Sequence, residues 1–224
     1  MRRILIAVVL AIVATVMAGC AASPPPVSER VQKYYDENVA SKPSAAPTAQ
    51  PVTFTAVGDS VTEGDSPDFN GGKTGALSWV SHMPAGTKFV GGWAKHGSTT
   101  DAMTAGVKAQ PAEVLVMMAG TNDVLAGVPF GKSAANLIAI VKTVGAKRVL
   151  ISAIPPLDSD PAAATAYNTK LQALSAQQGW AFVDSMAGVR KGDTYAPGMT
   201  TDGVHPTLPG VNAISAVLAK AVKG

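Results

Sequence analysis

The sequence predicts an α/β fold, a three-layer α/β/α sandwich around a central parallel sheet of about five strands. Five apolar, strand-like runs recur after residue 51, and segments with helical spacing of apolar residues separate them. Strands that alternate with helices indicate βαβ units, which build a parallel sheet with helices on both faces. The five runs are Val52–Val57, Lys88–Gly92, Glu113–Ala119, Arg148–Ile154 and Trp180–Asp184.

The segments between and after these runs are expected to form helices. Ser98 is expected to cap the second of them, because a serine hydroxyl accepts a hydrogen bond from the first helical N–H groups. Asp160-Pro161 and Gly179 favour a capped start and a defined end for the fourth. The expected helices are 76–82, 99–108, 133–145, 160–179 and 209–222.

The N-terminal residues predict export. The basic start Met1-Arg2-Arg3 and the apolar run from Ile4 to Met17 are typical of a secretory signal, here residues 1–19. The run is shorter than the roughly 20 apolar residues that a membrane-spanning helix needs. Met17-Ala18-Gly19-Cys20 resembles a bacterial lipobox, which implies lipidation of Cys20 and attachment to the cell envelope. A freely secreted protein and an uncleaved membrane anchor are the alternatives.

Residues 20–50 are expected to be a tether that precedes a domain of residues 51–224. Ala, Ser and Pro dominate this stretch, and such a composition buries too little apolar surface to offset the entropy lost on folding. Within it, Val27 to Asn38 could form a short helix with Val31, Tyr34 and Tyr35 on one side. The sequence leaves open whether that helix docks on the domain.

Charge and composition argue against several classes of function. Removal of residues 1–19 leaves 16 basic against 15 acidic residues, without a basic cluster that would follow a phosphate backbone. Gly72-Lys73-Thr74 imitates the end of a phosphate-binding loop, but Pro67 occupies the position of its first glycine. The three histidines are scattered along the chain, whereas a catalytic metal needs three clustered ligands. We therefore expect no nucleic-acid partner, nucleotide or metal.

The first strand-like run ends in Gly58-Asp59-Ser60, which delivers a serine hydroxyl to the edge of the sheet. Ligands of open α/β sheets bind beyond the carboxyl ends of the strands. A serine hydroxyl there becomes a nucleophile only when a base accepts its proton. Asp202 and His205, three residues apart in a glycine-containing turn, could supply that base and the carboxylate that orients it. Taken alone, the pair is a weak signal and is more typical of a helix-capping Asp near a surface His.

Two further glycine-containing turns follow the second and third strands. Gly97 lies in Lys95-His96-Gly97-Ser98, where the missing side chain would let a backbone N–H approach a ligand. Asn122 lies in Gly120-Thr121-Asn122-Asp123, which could aim a side-chain amide over the same edge. Each sequence by itself is also typical of an ordinary turn that joins a strand to a helix. Asp59 and Asp123 are expected to support these loops through hydrogen bonds rather than to act as acids.

Together, these four segments resemble the SGNH hydrolases, a subdivision of the GDSL esterase/lipase family, over roughly residues 52–222. The resemblance implies a flavodoxin-like sandwich and a serine esterase without a cofactor. Ser60 would be the nucleophile, His205 the general base and Asp202 its orienting acid. The Ser60 and Gly97 N–H groups and the Asn122 amide would form the oxyanion hole. Many members carry an Asn a few residues before the glycine, whereas Gly91 to Lys95 stand there in this chain.

We therefore expect an exported, membrane-tethered esterase that acts on a small-molecule ester, a lipid ester or an acylated glycan. Three loops, 63–74, 124–131 and 155–161, are expected to form the rim of its pocket. One alternative is an O-acyltransferase or deacetylase on envelope glycans, in which a sugar hydroxyl replaces water. Another is a binding lipoprotein that has lost its activity, because a fold by itself does not confer function.

Overall fold

A central sheet of five parallel strands organises the domain. The structure is a computed structural model that describes residues 26–38 and 50–224. Its strands follow the order β2-β1-β3-β4-β5, every neighbouring pair is parallel, and this confirms the predicted sheet. The strands are β1 (Val52–Gly58), β2 (Thr87–Ala94), β3 (Val114–Met118), β4 (Arg148–Ser152) and β5 (Ala181–Val183).

Helices cover both faces of this sheet. The long helices lie close to their predicted positions, so the three-layer α/β/α architecture is confirmed. α7 and a 3₁₀ turn at Trp79–His82 pack on one face, and α3, α5 and α6 pack on the other. The helices of the domain are α2 (Ser60–Glu63), α3 (Thr100–Gly106), α4 (Thr121–Leu125), α5 (Phe130–Val144), α6 (Pro161–Gln178) and α7 (Leu208–Lys223). A short hairpin of β6 (Arg190–Lys191) and β7 (Thr194–Tyr195) precedes α7.

The central strand β3 shows why the chain folds into layers. All five of its residues are buried, which explains its uninterrupted apolar sequence. Successive side chains of a strand point to opposite faces. Val116 and Met118 accordingly pack towards α7, whereas Leu115 and Met117 pack towards α5 and α6. The core is therefore two apolar layers with the sheet between them.

Two local predictions were wrong. The N-cap position of α3 is Thr99 rather than Ser98, and the Ser98 carbonyl instead accepts a hydrogen bond from Asn122. The expected helix over 76–82 shrinks to the 3₁₀ turn, because the N–H of Leu77 donates to the distant carboxylate of Asp65. In both cases a long-range contact replaced the local pattern.

The strand order determines where a ligand meets the sheet. The chain passes from β1 to β2 on one side and then returns to β3 on the other side of β1. A flavodoxin-like sheet binds its ligand at this reversal, beyond the carboxyl ends of β1 and β3. Ser60 follows β1 and Asn122 follows β3, so the two side chains flank that position.

Residues before the domain include one described helix, α1 (Val27–Asn38). The sequence left open whether this segment is helical; the structure describes it as a helix with exposed apolar side chains at Val27, Val31, Tyr34 and Tyr35. Within the described residues, none of the helices combines the length and hydropathy required to span a bilayer. The predicted signal segment, Cys20 and most of the predicted tether lie outside the described residues.

Candidate active site

Ser60 is the first residue of α2 and is held there by its two predecessors. The Asp59 side chain caps the helix by accepting a hydrogen bond from the N–H of Val61 at 3.0 Å. Gly58 is required because a Cβ at this position would lie 2.2 Å from Thr62 Oγ1 and 2.8 Å from the Met118 carbonyl. The Gly-Asp-Ser sequence therefore produces a tight turn that ends with a serine beyond the edge of the sheet.

The structure brings Ser60, His205 and Asp202 together as predicted. Ser60 Oγ lies 2.8 Å from His205 Nε2, and His205 Nδ1 lies 2.7 Å from Asp202 Oδ2. With Nδ1 donating to the carboxylate, Nε2 is the nitrogen that accepts the hydroxyl proton. This geometry allows a proton to pass from the serine to the imidazole.

The carboxylate of Asp202 is oriented by its own segment. Its Oδ1 accepts hydrogen bonds from the N–H groups of Val204 and His205, at 2.9 and 2.8 Å. Burial raises its pKa in part, but these N–H groups and the imidazole hold the pKa of Asp202 well below its usual range. The Thr200 hydroxyl closes the turn by donating to the His205 carbonyl at 2.8 Å. Asp202 is therefore ionised wherever His205 acts as a base.

Two longer contacts attach this segment to the rest of the domain. The Tyr195 hydroxyl donates to the Val204 carbonyl at 2.7 Å, and the N–H of Asp158 donates to the Gly203 carbonyl at 3.0 Å. Gly203 has a φ of 78°, and a Cβ there would lie 2.9 Å from Asp158 Cβ. The Asp-x-x-His turn thus depends on a glycine in the left-handed region.

The predicted oxyanion donors lie in two loops that contact each other. Asn122 Nδ2 donates to the Ser98 carbonyl at 3.0 Å, which uses one of its two amide hydrogens. Gly97 is exposed with a φ of 69° and open space around its Cα. Across the described part of the chain, the N–H groups of Ser60 and Gly97 donate to no protein acceptor. Three donors therefore remain unused near the end of the sheet.

Asp123 connects these loops beneath the surface. Its buried carboxylate accepts from the N–H of Thr100 at 2.8 Å, from the Thr100 hydroxyl at 2.6 Å and from the Ser133 hydroxyl at 2.6 Å. Gly120, just before α4, has a φ of 124° and lies against the Tyr167 ring, which a Cβ would approach to 2.2 Å. The expected supporting role of Asp123 is confirmed by these hydrogen bonds.

Asp59 differs from Asp123 although both are fully buried. Its Oδ1 caps α2, but Oδ2 has no hydrogen-bond partner among the described residues. Burial raises the pKa of Asp59 to about 6; the N–H of Val61, the nearby Thr121 hydroxyl and the charge of His205 offset only part of this effect. Asp59 supports the nucleophile turn, as expected, although only one of its two carboxylate oxygens accepts a hydrogen bond from a described residue.

A cavity of about 210 Å³ opens beside the serine. A larger cavity of about 300 Å³ lies beside Trp93 and Lys108, away from Ser60, so size alone does not identify the site. Of the three loops expected to form the rim, only 63–74 contributes to the cavity at Ser60. The lining residues are Ser60, Val61, Gly64, Asp65, Leu77, His205 and Pro206.

The sequence did not predict three contacts at the site: Glu63 with the loop of Gly97, Leu77 with the cavity, and Thr200 with the turn of His205. Glu63 contacts the loop of Gly97, and its pattern in the sequence gave no signal for that distant partner. Thr200, two residues before Asp202, is a position from which a hydroxyl commonly bonds to its own turn. Trp79 is fully buried in the core and does not line the cavity at Ser60.

The other titratable groups in the described part of the chain do not form a metal centre. Within residues 26–38 and 50–224, no three His, Cys, Asp or Glu side chains converge as ligands. His82 belongs to the 3₁₀ turn, where its Nε2 lies 2.7 Å from the Ala76 carbonyl.

Known structures with the same fold were found among bacterial esterases and lipases. A lipolytic protein of the G-D-S-L family from Veillonella parvula shares 20% identity over 75% of this chain and 96% of its own, with a TM-score of 0.59. A variant of an acetylxylan esterase from Geobacillus stearothermophilus shares 17% identity over 77% and 94%, with a TM-score of 0.61. A GDSL-like lipase from Bacteroides thetaiotaomicron shares 20% identity over 86% and 96%, with a TM-score of 0.57.

Sequence comparison defines the family. No curated protein sequence matches the chain significantly. The model of the GDSL-like lipase/acylhydrolase family, however, matches residues 56–213, which span β1 to the first turns of α7 and include every predicted catalytic residue. The chain therefore belongs to the GDSL-like lipase/acylhydrolase family and is a serine ester hydrolase.

Proposed function

We propose that Ser60, His205 and Asp202 are the catalytic residues of this hydrolase. The observation that carries the proposal is the continuous chain of contacts from Ser60 Oγ to His205 Nε2 at 2.8 Å and from His205 Nδ1 to Asp202 Oδ2 at 2.7 Å. A nucleophile, a base and an orienting acid in that order are what acyl transfer to a hydroxyl requires.

The reaction runs through an acyl-enzyme. Ser60 Oγ attacks the ester carbonyl carbon while His205 Nε2 takes its proton, and the carbonyl oxygen becomes an oxyanion. The Ser60 N–H, the Gly97 N–H and the free Asn122 amide hydrogen are the donors that stabilise this charge. Collapse of the intermediate breaks the bond to the alcohol, which leaves with the proton from His205. Water then attacks the acyl-enzyme with His205 as base, and the carboxylic acid is released.

Water is the acceptor of the acyl group in this proposal. The side chains of His205 and Asp202 are 47% and 50% exposed, so solvent reaches the base directly. An acyltransferase would have to exclude water so that a sugar hydroxyl could compete with it. Product analysis in the presence of a glycan acceptor tests the point; acylated glycan as the main product would contradict hydrolysis.

The substrate carries a short acyl group. The cavity of about 210 Å³ is smaller than the roughly 300–1,000 Å³ of pockets that enclose whole drug-sized ligands. Val61, Leu77 and Pro206 give it an apolar wall beside Ser60. An acetylated sugar fits this description, and an acetylxylan esterase is among the proteins that share the fold.

Hydrolysis of p-nitrophenyl esters tests both parts of the proposal. Acetyl and butyryl esters are expected to be hydrolysed faster than decanoyl esters, and the opposite order would reject the short acyl group. Ser60→Ala is expected to abolish turnover, with Ser159→Ala as the control because Ser159 is exposed and does not line the cavity. Equal rates for wild type and Ser60→Ala would reject Ser60 as nucleophile.

The enzyme works at the cell envelope in the same proposal. The support is the basic and apolar start of the chain and the position of Cys20 behind it. Fractionation of cells that express the full chain and Cys20→Ala provides the test. The cells are grown with a radiolabelled fatty acid. The wild type is expected in the membrane fraction and labelled, and Cys20→Ala is expected to carry no label. Equal labelling of both proteins would contradict lipidation at Cys20.

A further inference from the structure

Glu63 connects the helix of the nucleophile to the loop of Gly97. Glu63 Oε2 accepts a hydrogen bond from the backbone N–H of His96 at 2.6 Å. The same oxygen lies 3.2 Å from His96 Nδ1. The Glu63 side chain is 19% exposed, whereas that of His96 is 78% exposed. The shorter of the two contacts is therefore the one to the backbone.

The backbone contact lies next to a peptide group whose direction matters. The N–H of Ser98 donates to the Lys95 carbonyl at 3.3 Å, so residues 95–98 form a β-turn with Gly97 as its third residue. A φ of 69° at that position is typical of a type II turn, in which glycine is favoured. Rotation of the peptide between His96 and Gly97 converts type II to type I and points the Gly97 N–H the other way. The donor direction thus depends on which turn is populated.

The two sides of this turn are held by different elements. On the far side, Asn122 and Asp123 hold Ser98 and Thr100. On the near side, Glu63 holds the N–H of His96, immediately before the peptide that can rotate. Glu63 is three residues after Ser60 in α2, so the same short helix carries the nucleophile and holds the turn.

We propose that Glu63 is a positioning residue of the oxyanion hole, which acts through the backbone of His96 to keep the Gly97 N–H directed at the substrate. The proposal rests on the assignment of Gly97 as an oxyanion donor. Glu63 touches no reacting atom; it fixes the distance between nucleophile and donor. Misplacement of a catalytic group by about 1 Å costs on the order of 100-fold in rate, which sets the scale of the effect.

Variants of the full chain separate the backbone contact from the contact with the ring. Glu63→Ala is expected to lower kcat by about 10- to 100-fold with KM changed by less than about threefold, because the donor acts on the transition state. Glu63→Gln retains an oxygen for the His96 N–H and is expected to stay within about fivefold of wild type. His96→Ala keeps the backbone N–H and is expected to stay within about threefold. Asp101→Ala, which removes an exposed carboxylate paired with Lys132, is the matched control and is expected to leave kcat unchanged.

The outcomes separate a role of the backbone contact from a role of the ring contact and from no role of Glu63. Equal losses in Glu63→Ala, Glu63→Gln and His96→Ala would show that the ring pair matters and would overturn the proposal, as would full activity of Glu63→Ala. If Glu63→Ala unfolds, Glu63→Asp keeps the charge but not the reach, and is expected to lose kcat while its thermal midpoint stays close to wild type. An arylboronic acid, which forms a tetrahedral adduct with the serine, is expected to bind more weakly to Glu63→Asp by the factor lost in kcat. Full activity of Ser60→Ala would reject the proposed function itself, independently of these results.

Discussion

The proton-transfer side of the site and its oxyanion side are held in different ways. On the proton-transfer side, Asp202 orients His205 through contacts that span two or three residues of the chain. On the oxyanion side, Asn122 reaches Ser98 and Asp123 reaches Thr100, 24 and 23 residues away. The first side is assembled by one turn, and the second is assembled by the packing of loops from different strands.

The two kinds of support predict how each side of the site responds to mutation. A turn held by its own hydrogen bonds retains its geometry as long as the segment is anchored, here by Tyr195 and Asp158. Loops held by a shared buried carboxylate lose their relative position when that carboxylate is disturbed. Mutations of Ser60 and His205 should therefore affect mainly the chemistry, and mutations on the oxyanion side should affect chemistry and stability together.

The largest expected effect lies on the proton-transfer side. Ser60→Ala and His205→Ala are each expected to lower kcat for aryl-ester hydrolysis by roughly 10³- to 10⁶-fold. The double variant should be no worse than either, because nucleophile and base act as a unit. Asp202→Ala should lose as much or less. Thermal midpoints of Ser60→Ala and His205→Ala should stay close to wild type, and a His205→Ala variant with normal kcat would remove His205 from the mechanism.

The same difference explains what the sequence could predict. The five strands and the flanking helices follow from periodicity, and the pairing of Ser60 with Asp202 and His205 follows from the resemblance of four short motifs to those of a known family. The contact of Glu63 with His96, the 3₁₀ turn at Trp79–His82 and the role of the Ser98 carbonyl do not, because the partners in these contacts lie 12 to 33 residues apart in the chain. Local patterns encode the acid–base turn, whereas the support of the oxyanion loops exists only once the strands have paired.

Asn122→Ala tests the oxyanion side at the level of one donor. Its kcat is expected to fall by about 100- to 1,000-fold, the usual cost of losing one oxyanion donor. The contact with the Ser98 carbonyl is lost as well, so a small fall in stability should accompany the kinetic loss. Kinetics and urea unfolding measure the two effects, and a variant with normal kcat would exclude Asn122 from the oxyanion hole.

Asp123→Asn should separate the two sides most clearly. An amide cannot accept from the Thr100 N–H and from both hydroxyls, so the variant is expected to lose about 2–4 kcal/mol of unfolding free energy. Loosened loops should also lower kcat by about tenfold. Asp101→Asn, an exposed carboxylate, is the control and should change stability by less than about 0.5 kcal/mol. A stable Asp123→Asn protein would contradict the idea that this carboxylate holds the loops.

Asp59 lies beside the nucleophile, and its contribution to stability is the one that depends most sharply on pH. The pKa of this buried carboxyl is raised from 3.8 to about 6, so the folded protein holds its proton more tightly than the unfolded chain. The resulting stability is fully present below pH 3.8 and is lost as the pH rises through about 6. A difference of about two pKa units corresponds to about 3 kcal/mol.

Asp59→Asn isolates this contribution, because its side-chain oxygen still caps α2 through the N–H of Val61. The variant should match wild type near pH 4 and become progressively more stable than wild type between pH 4 and 7, by up to about 3 kcal/mol. Urea unfolding at several pH values measures the difference in stability between the two proteins, in which contributions common to both largely cancel. A constant difference across this range would show that the Asp59 carboxyl titrates as an ordinary one, and its unpaired oxygen would then have no energetic consequence.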